Sequence, residues 1–173
     1  MISGTLKQYY IAVARLENPE EYEGLPDLES KHRRIRIWRY PSFETISSWT
    51  VFGLGKELVL RRLEWDRFTE FPSQTELHEL YACEAKIDEA QFESIMSDLS
   101  KIEFRPLIED QAIMCDGTEY GIEVGHGAYS RNISWHSGPP DGWEKLSEWH
   151  EQTIIKLDRN LPESTCRARE KNS

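Results

Sequence analysis

The stretch that decides the fold is residues 33–40, RRIRIWRY, in which basic and apolar side chains alternate. Ile35 and Ile37 fall on one face of an extended chain, and Arg34 and Arg36 fall on the other. This period of two predicts a half-buried β-strand, and the rest of the fold can be built outward from it.

Two further strands are predicted directly after this one. Residues 43–52 are rich in Thr, Ser, Trp and Val, and residues 58–65 return after the turn-forming stretch 53–56, GLGK. Strands joined by such short links form an antiparallel meander. After a polar loop, residues 77–87 are predicted to extend the same sheet.

A helix and a hairpin follow in the second half of the chain. Asp88 is a predicted helix N-cap, with Gln91 three residues later as its partner in a capping box. Apolar residues then recur at helical spacing, namely Phe92, Ile95, Met96, Leu99 and Ile102. Alternation in residues 120–124 and 129–135, on either side of a Gly-His-Gly loop, predicts a β-hairpin. A second helix is expected over residues 143–157, with Asp141 as a candidate cap.

The two ends of the chain carry weaker patterns. Residues 9–16 are apolar on both faces and are interpreted as a strand, with a helix as the open alternative. Residues 162–173 are polar and predict a C-terminal tail, which leaves a single domain over residues 1–161. The predicted class is therefore α+β: an antiparallel β-sheet (a meander plus a C-terminal hairpin) covered by two α-helices.

Composition supports a packed globular chain. Its 173 residues include six Trp, seven Tyr and six Phe, and 38% are hydrophobic. No apolar run is long enough to cross a bilayer, and the start, MISG, has no secretory-signal pattern. We therefore expect a cytoplasmic protein without membrane association.

The negative charge is concentrated in the middle of the chain. The net charge is −10; residues 70–123 hold 14 acids and three bases, or −11, and the remainder sums to +1. Such a field repels nucleic-acid phosphates and anionic lipid, and it attracts a basic protein. The arginines of residues 33–39 and 61–62 are expected to pair with acids on neighbouring strands rather than to bind nucleic acid.

The histidines and cysteines of this chain do not have the spacing that a metal site or a catalytic site requires. His126 and His136 are ten residues apart across a strand and cannot share one ion unless the chain bends, and His150 is expected to be a core histidine. Cys83 and Cys115 are interpreted as buried inert thiols. No P-loop, nucleophile elbow or dinucleotide fingerprint is present. The prediction is no catalytic residue, no metal ligand and no cofactor.

Two groups of stretches resemble a known set of sequences. The first group is RIWRYPSF at 36–43, SWTVF at 48–52 and RRLEWD at 61–66; the second is DGTEYGIE at 116–123, Ser134-Trp135 and GPPDGWEKL at 138–146. Together they resemble a group of small bacterial proteins of unknown function, across most of residues 36–161. No catalytic residue comes with that resemblance. In size, shape and charge, the chain also resembles the antitoxins and immunity proteins of bacterial toxin systems.

These observations lead to a hypothesis about function. We expect an acidic protein-binding module, an intracellular inhibitor or immunity-type protein that neutralises a basic toxin or enzyme by blocking its site. The predicted partner-binding residues are Glu79, Glu84, Asp116, Glu119, Glu123, His126 and Tyr129.

Two alternatives stay open. One is an enzyme with an unrecognised site at the C-terminal hairpin, using Asp116, His126 or His136. The other is a self-associating structural module whose sheet edge pairs with a second copy. The sequence does not fix the oligomeric state.

Overall fold

The structure is a computed structural model, and it describes residues 2–20, 22, 24–28, 31–54, 57–66, 80–105, 116–125, 130–164 and 166. The helices are α1 (Ile2–Glu17), α2 (Glu89–Ser100) and α3 (Glu144–Asp158). The strands are β1 (His32–Pro41), β2 (Ile46–Leu54), β3 (Glu57–Trp65), β4 (Leu80–Lys86), β5 (Thr118–Val124) and β6 (Arg131–His136).

All six strands form one antiparallel sheet in the order β4-β3-β2-β1-β5-β6. The predicted meander supplies β1, β2 and β3, the predicted fourth strand is β4, and the predicted hairpin is β5–β6. These predictions and the α+β class are confirmed. The hairpin joins the sheet through β5, which pairs with β1 on the side opposite to β2.

The sheet has two differently covered faces. The two-helix face packs against α2 and α3 through an apolar cluster that includes Ile37, Trp49 and Ile122. The α1 face packs against α1 through a second cluster that includes Trp38, Leu63 and Trp65. Because both faces are covered near the centre, residues 35–38 of β1, 46–53 of β2 and 60–65 of β3 are buried.

The N-terminal helix corrects one prediction. The strand interpreted at residues 9–16 is wrong, because this segment belongs to α1. Tyr9, Ala12, Val13 and Leu16 lie at helical spacing and pack on the sheet, whereas Tyr10 is exposed. An apolar run allows either structure, and tertiary packing selects the helix here. In the described ranges, three helices rather than two therefore cover the sheet.

The helix starts were predicted with mixed success. Asp88 is the N-cap of α2, as predicted, and its side chain accepts a hydrogen bond from the Gln91 backbone amide at 3.1 Å. The Gln91 side chain donates to the Lys156 carbonyl at 3.4 Å and does not reach back to Asp88, so the second half of the predicted capping box is not formed. The cap predicted for the last helix is wrong: α3 begins after Trp143 without a side-chain cap. Glu144 serves this end instead, because its Oε1 accepts a hydrogen bond from the Gly142 amide.

One close contact joins the hairpin to the meander. Gly121 on β5 lies directly opposite Trp38 on β1. A Cβ atom at residue 121 would lie 1.9 Å from the Trp38 ring. The indole therefore lies over bare backbone, and only glycine fits there.

A β-bulge divides the two ends of β1. The register against β2 shifts between Arg33 and Ile35, which leaves Arg34 as the extra residue. Arg33 binds acids on the α1 face, whereas the Arg34 guanidinium lies 5.4 Å from the centre of the Phe92 ring on the two-helix face. The remainder of β1 keeps strict alternation.

The chain after α3 returns along β3. The Pro162 carbonyl accepts a hydrogen bond from Arg62 at 2.9 Å, and the Ser164 hydroxyl donates to Glu64 at 2.9 Å. Cys166 is fully buried. The first residues of the predicted tail are therefore packed against the sheet.

Candidate functional site

A row of polar side chains crosses the α1 face of the sheet. Its members lie opposite one another on five neighbouring strands, in the order Glu84, Arg61, Thr50, Arg36 and Glu123. Arg61 binds Glu84 at 2.8 Å, and Arg36 binds Glu123 at 3.1 Å. We call this set the polar row. The expected pairing with acids on neighbouring strands is confirmed for Arg33, Arg36 and Arg61. Arg39 instead binds Glu44 in the turn after β1, and Arg62 binds Glu64 of its own strand and Asp158 of α3.

The polar row also holds the segment that follows α1. Arg61 is fully buried and donates to the backbone carbonyls of Pro19, Glu20 and Pro26. Arg33, close to the row on β1, binds the carboxylates of Glu20 and Glu123. These arginines satisfy carbonyls and carboxylates that would otherwise be buried without partners.

The predicted partner-binding residues that the structure describes are spread over the sheet. Four of them lie in the part of the chain that the structure describes: Glu84, Asp116, Glu119 and Glu123. Glu84 and Glu123 are engaged in the polar row, and three strands separate them, which corresponds to roughly 19 Å. Glu79, His126 and Tyr129 lie outside the described residues.

Asp116 and Glu119 instead lie at one end of the sheet, where β1 ends and β5 begins. The Ser42 amide donates to the Gly117 carbonyl at 2.8 Å, and the Gly117 amide donates to the Ser42 hydroxyl at 3.1 Å. This double link holds the β1–β2 turn beside Asp116. Glu119 follows on β5, opposite Tyr40.

Gly117 brings the end of β6 to the same place. Its φ is +153°, and a Cβ atom there would lie 2.1 Å from the Ser137 hydroxyl and 2.7 Å from the His136 ring. Ser137 is the described non-glycine residue with a positive φ, +64°, and its hydroxyl lies 3.1 Å from His136 Nδ1. Because Gly117 has no side chain, His136 and Ser137 pack directly against the link to Ser42.

The β1–β2 turn carries an aromatic side chain that the sequence reading did not single out. Phe43 is 66% exposed, although residues 41 and 45 on either side of the turn are buried. The sequence predicted Phe43 to begin a strand, but β2 begins at Ile46. The available signal was the Pro41-Ser42 breaker, which places the next residue in a turn. We call Phe43, Asp116 and Glu119 the turn-end surface.

The two carboxylates of this surface differ from those of the polar row. Asp116 is exposed and Glu119 is half-buried, and neither has a cationic partner within 4 Å among the residues that the structure places. Glu119 accepts a hydrogen bond from the Trp38 indole at 3.1 Å. Burial raises the pKa of the neighbouring Tyr40 hydroxyl, so this phenol stays neutral. The negative charge here is available to a partner.

His150 has the core position that the sequence predicts. It is fully buried, and its Nε2 lies 3.0 Å from the Trp38 carbonyl, which requires the proton on Nε2. Its ring contacts Tyr120 and Trp135 edge-on. Burial lowers its pKa to about 4, so the imidazole is neutral near pH 7.

The remaining chemistry-bearing groups are dispersed. Among the residues described by the structure, no group of three or more His, Cys, Asp or Glu side chains could hold a metal ion. Cys83 is a free, half-buried thiol, and burial raises its pKa, which lowers its reactivity. No described helix is long and apolar enough to cross a membrane.

Comparison with models of protein families, with curated proteins and with solved structures finds no significant match.

Proposed function

We propose that this chain is an acidic protein-binding module of the inhibitor or immunity type, and that it docks a basic partner protein on the turn-end surface. The observation that carries the proposal is the position of Phe43, an exposed aromatic residue that follows Ser42. Ser42 is hydrogen-bonded to Gly117, the residue between Asp116 and the start of the strand that carries Glu119.

The distribution of charge supports this assignment. Four arginines lie in ion pairs inside the fold, with five acids: Arg33, Arg36, Arg61 and Arg62 with Glu20, Glu64, Glu84, Glu123 and Asp158. Removing these from 21 bases and 31 acids leaves 17 bases and 26 acids, a net charge of −9. The excess negative charge is therefore outside these buried pairs, where it speeds encounter with a positively charged protein.

The rigidity of the turn supports the role of Phe43 as an anchor. Two hydrogen bonds hold Ser42, and Pro41 lies opposite Thr118 in the β1–β5 ladder. An aromatic side chain on a fixed backbone loses little conformational freedom on binding. Such residues dominate binding energy when they fill a partner's pocket, and flanking charges then fix the orientation.

The partner expected here has a basic rim around an apolar pocket. Asp116 and Glu119 would meet the rim, and Phe43 would enter the pocket. Glu84 and Glu123, which the sequence predicted as binding residues, have structural partners, and the proposal does not depend on them.

The test uses calorimetric titration of the purified chain with the basic proteins encoded beside its own gene. We expect one of them to bind, with an affinity that falls steeply between 50 mM and 300 mM salt. Phe43→Ala should weaken binding by about 30-fold or more, which corresponds to about 2 kcal/mol. Asp116→Asn combined with Glu119→Gln should weaken binding and flatten the salt dependence.

Matched controls use α3, on the two-helix face. Ile155 is 47% exposed, and Glu148 and Glu151 are exposed. Ile155→Ala, and Glu148→Gln with Glu151→Gln, make equivalent changes in apolar area and charge. They should leave the affinity within about twofold. Equal losses for both sets of variants, or an affinity that salt does not change, would contradict the proposal.

A further inference from the structure

The outer edge of β6 presents a regular row of backbone groups. The Ser137 amide donates to the Thr118 carbonyl at 2.7 Å, and the two residues lie opposite each other across the hairpin. In an antiparallel ladder, alternate residues bond to the same neighbour. Residues 131, 133 and 135 therefore bond to β5, and Asn132, Ser134 and His136 direct their N–H and C=O groups away from the sheet.

The β1–β5 pairing independently confirms which residues of β6 bond to β5. The Gly125 amide donates to the Arg34 carbonyl, and the Ser42 amide donates to Gly117. The odd-numbered residues of β5 thus bond to β1, so its even-numbered residues bond to β6. Within the described part of the chain, no hydrogen bond is found for the outward backbone groups of β6.

Within the residues that the structure places, this edge has few of the features that protect edge strands. Asn132 and Ser134 are exposed, and residues 132–135 contain neither a charge nor a proline. Natural edges are usually protected by lysine, proline, a bulge or a covering segment. The other edge, β4, carries Glu84 and Lys86, and its first six residues are half-buried.

We infer that β6 pairs with β6 of a second copy of this chain, antiparallel, about a two-fold axis at Ser134. In this register Ser134 faces its own copy. Asn132 faces His136 of the second copy, and Ile133 faces Trp135 of the second copy. All outward N–H and C=O groups of residues 132–136 then find partners.

Self-complementarity favours a second copy over an unrelated strand. On the two-helix face, Ile122 and Ile133 continue into Trp135 and Tyr120 of the second copy, so an apolar row crosses the junction. On the other face, Asn132 lies opposite His136 of the second copy and Ser134 lies opposite Ser134, so polar side chains face polar side chains. Arg131 lies opposite Ser137 of the second copy, so no like charges face each other.

Proline substitution tests the edge directly. Ser134→Pro removes an outward N–H and leaves the β5–β6 bonds intact, so the monomer keeps its fold. By light scattering after size-exclusion chromatography at about 100 μM, the wild-type chain should have twice its mass of 20.3 kDa. Ser134→Pro should have the mass of one chain, with an unchanged circular dichroism spectrum.

The matched control is Ala82→Pro. The Ile87 amide donates to the Leu58 carbonyl, so residue 82 on β4 also directs its N–H outward. Ala82→Pro should leave the dimer intact. A dimer that breaks with Ala82→Pro and not with Ser134→Pro would overturn the inference, and so would a monomeric wild-type chain.

Two further variants of Ser134 remain informative if the proline variant does not fold. Ser134→Lys places two like charges across the axis and should lower the dimer fraction at least tenfold. Ser134→Cys places two thiols about 5.5 Å apart between Cα atoms, within disulfide range. Mild oxidation should then yield a covalent dimer, and peptide mapping should locate the cross-link at residue 134. Cross-links confined to the native cysteines, or a dimer unaffected by Ser134→Lys, would contradict the pairing.

Discussion

Arg61 and Glu84 lie directly opposite each other on β3 and β4, and their side chains meet at 2.8 Å although Arg61 is fully buried. The same guanidinium donates to three backbone carbonyls of the segment after α1. One side chain therefore links the sheet, its outer strand and the segment that leads from α1 into β1.

Replacing this arginine should destabilise the whole domain. Arg61→Met removes the donor to Glu84 and to the Pro19 and Pro26 carbonyls, while the Glu20 carbonyl keeps the Leu28 amide. We expect a loss of about 3–5 kcal/mol in the free energy of unfolding, measured with urea. Arg39→Met breaks the more exposed pair with Glu44 and should cost less than about 1 kcal/mol. Similar losses for the two variants would show that the buried network contributes little.

His150 should make stability depend on pH. Its pKa falls from an ordinary value of 6.5 to about 4 in the fold, mainly because of burial. The unfolded chain therefore binds more protons between pH 4 and pH 6.5, and the free energy of unfolding decreases as the pH falls through that window. The loss should reach about 3 kcal/mol.

The measurement compares the wild-type chain with His150→Gln, which cannot titrate. Urea titrations at pH 7 and pH 4 give the free energy of unfolding for each protein, and the acid-induced loss should be about 3 kcal/mol smaller in the variant. If His150→Gln and the wild-type chain lose equal stability, the imidazole is not the responsible group.

The contact between Gly121 and Trp38 should tolerate no side chain. Gly121→Ala places a methyl group inside the van der Waals radius of the indole, and we expect a loss of about 2–3 kcal/mol by thermal unfolding. Gly138→Ala meets open space and should change stability by less than about 0.5 kcal/mol. In the background Trp38→Leu, the effect of Gly121→Ala should shrink by at least half; a fully additive double variant would exclude the clash.

The chain after Leu161 should contribute to stability. Truncation after residue 161 removes the carbonyl that accepts from Arg62, the hydroxyl that donates to Glu64, and buried Cys166. We expect a loss of about 3 kcal/mol by urea unfolding. Truncation after residue 166 keeps all three of these groups, so the truncated chain should keep the stability that they contribute. If both truncated chains match the wild type, the domain ends at residue 161, as the sequence alone predicts.

Sequence patterns predicted the helices and strands that are determined by a few neighbouring residues. The alternation of residues 33–40 indicated β1, and Asp88 with Gln91 indicated the start of α2, because both signals lie within a few neighbouring residues. Residues 9–16 carried no such signal. Their helical structure depends on packing over β2 and β3, which lie 30 residues or more away along the chain.

The candidate site could be predicted only in part. Asp116 and Glu119 were identified from charge, but charge alone did not separate them from Glu84 and Glu123. That distinction depends on register, because Glu84 lies opposite Arg61 only when β3 and β4 pair as they do. The exposure of Phe43 depends likewise on the hydrogen bonds between its turn and Gly117. Ser42 and Gly117, which form these bonds, are 75 residues apart in the sequence.

The extra residue in β1 makes this strand unusual in its tolerance to changes in chain length. Removing Arg34 would convert the bulge into a regular ladder and leave Ile35 to Pro41 opposite their present neighbours. Removing any residue from 36 to 40 would instead move the side chains that precede it in β1 to the opposite face of the sheet, and the apolar side chains among them would leave the core. Single-residue deletions in natural variants of this chain should therefore occur in β1 at position 34 and be excluded from the rest of the strand.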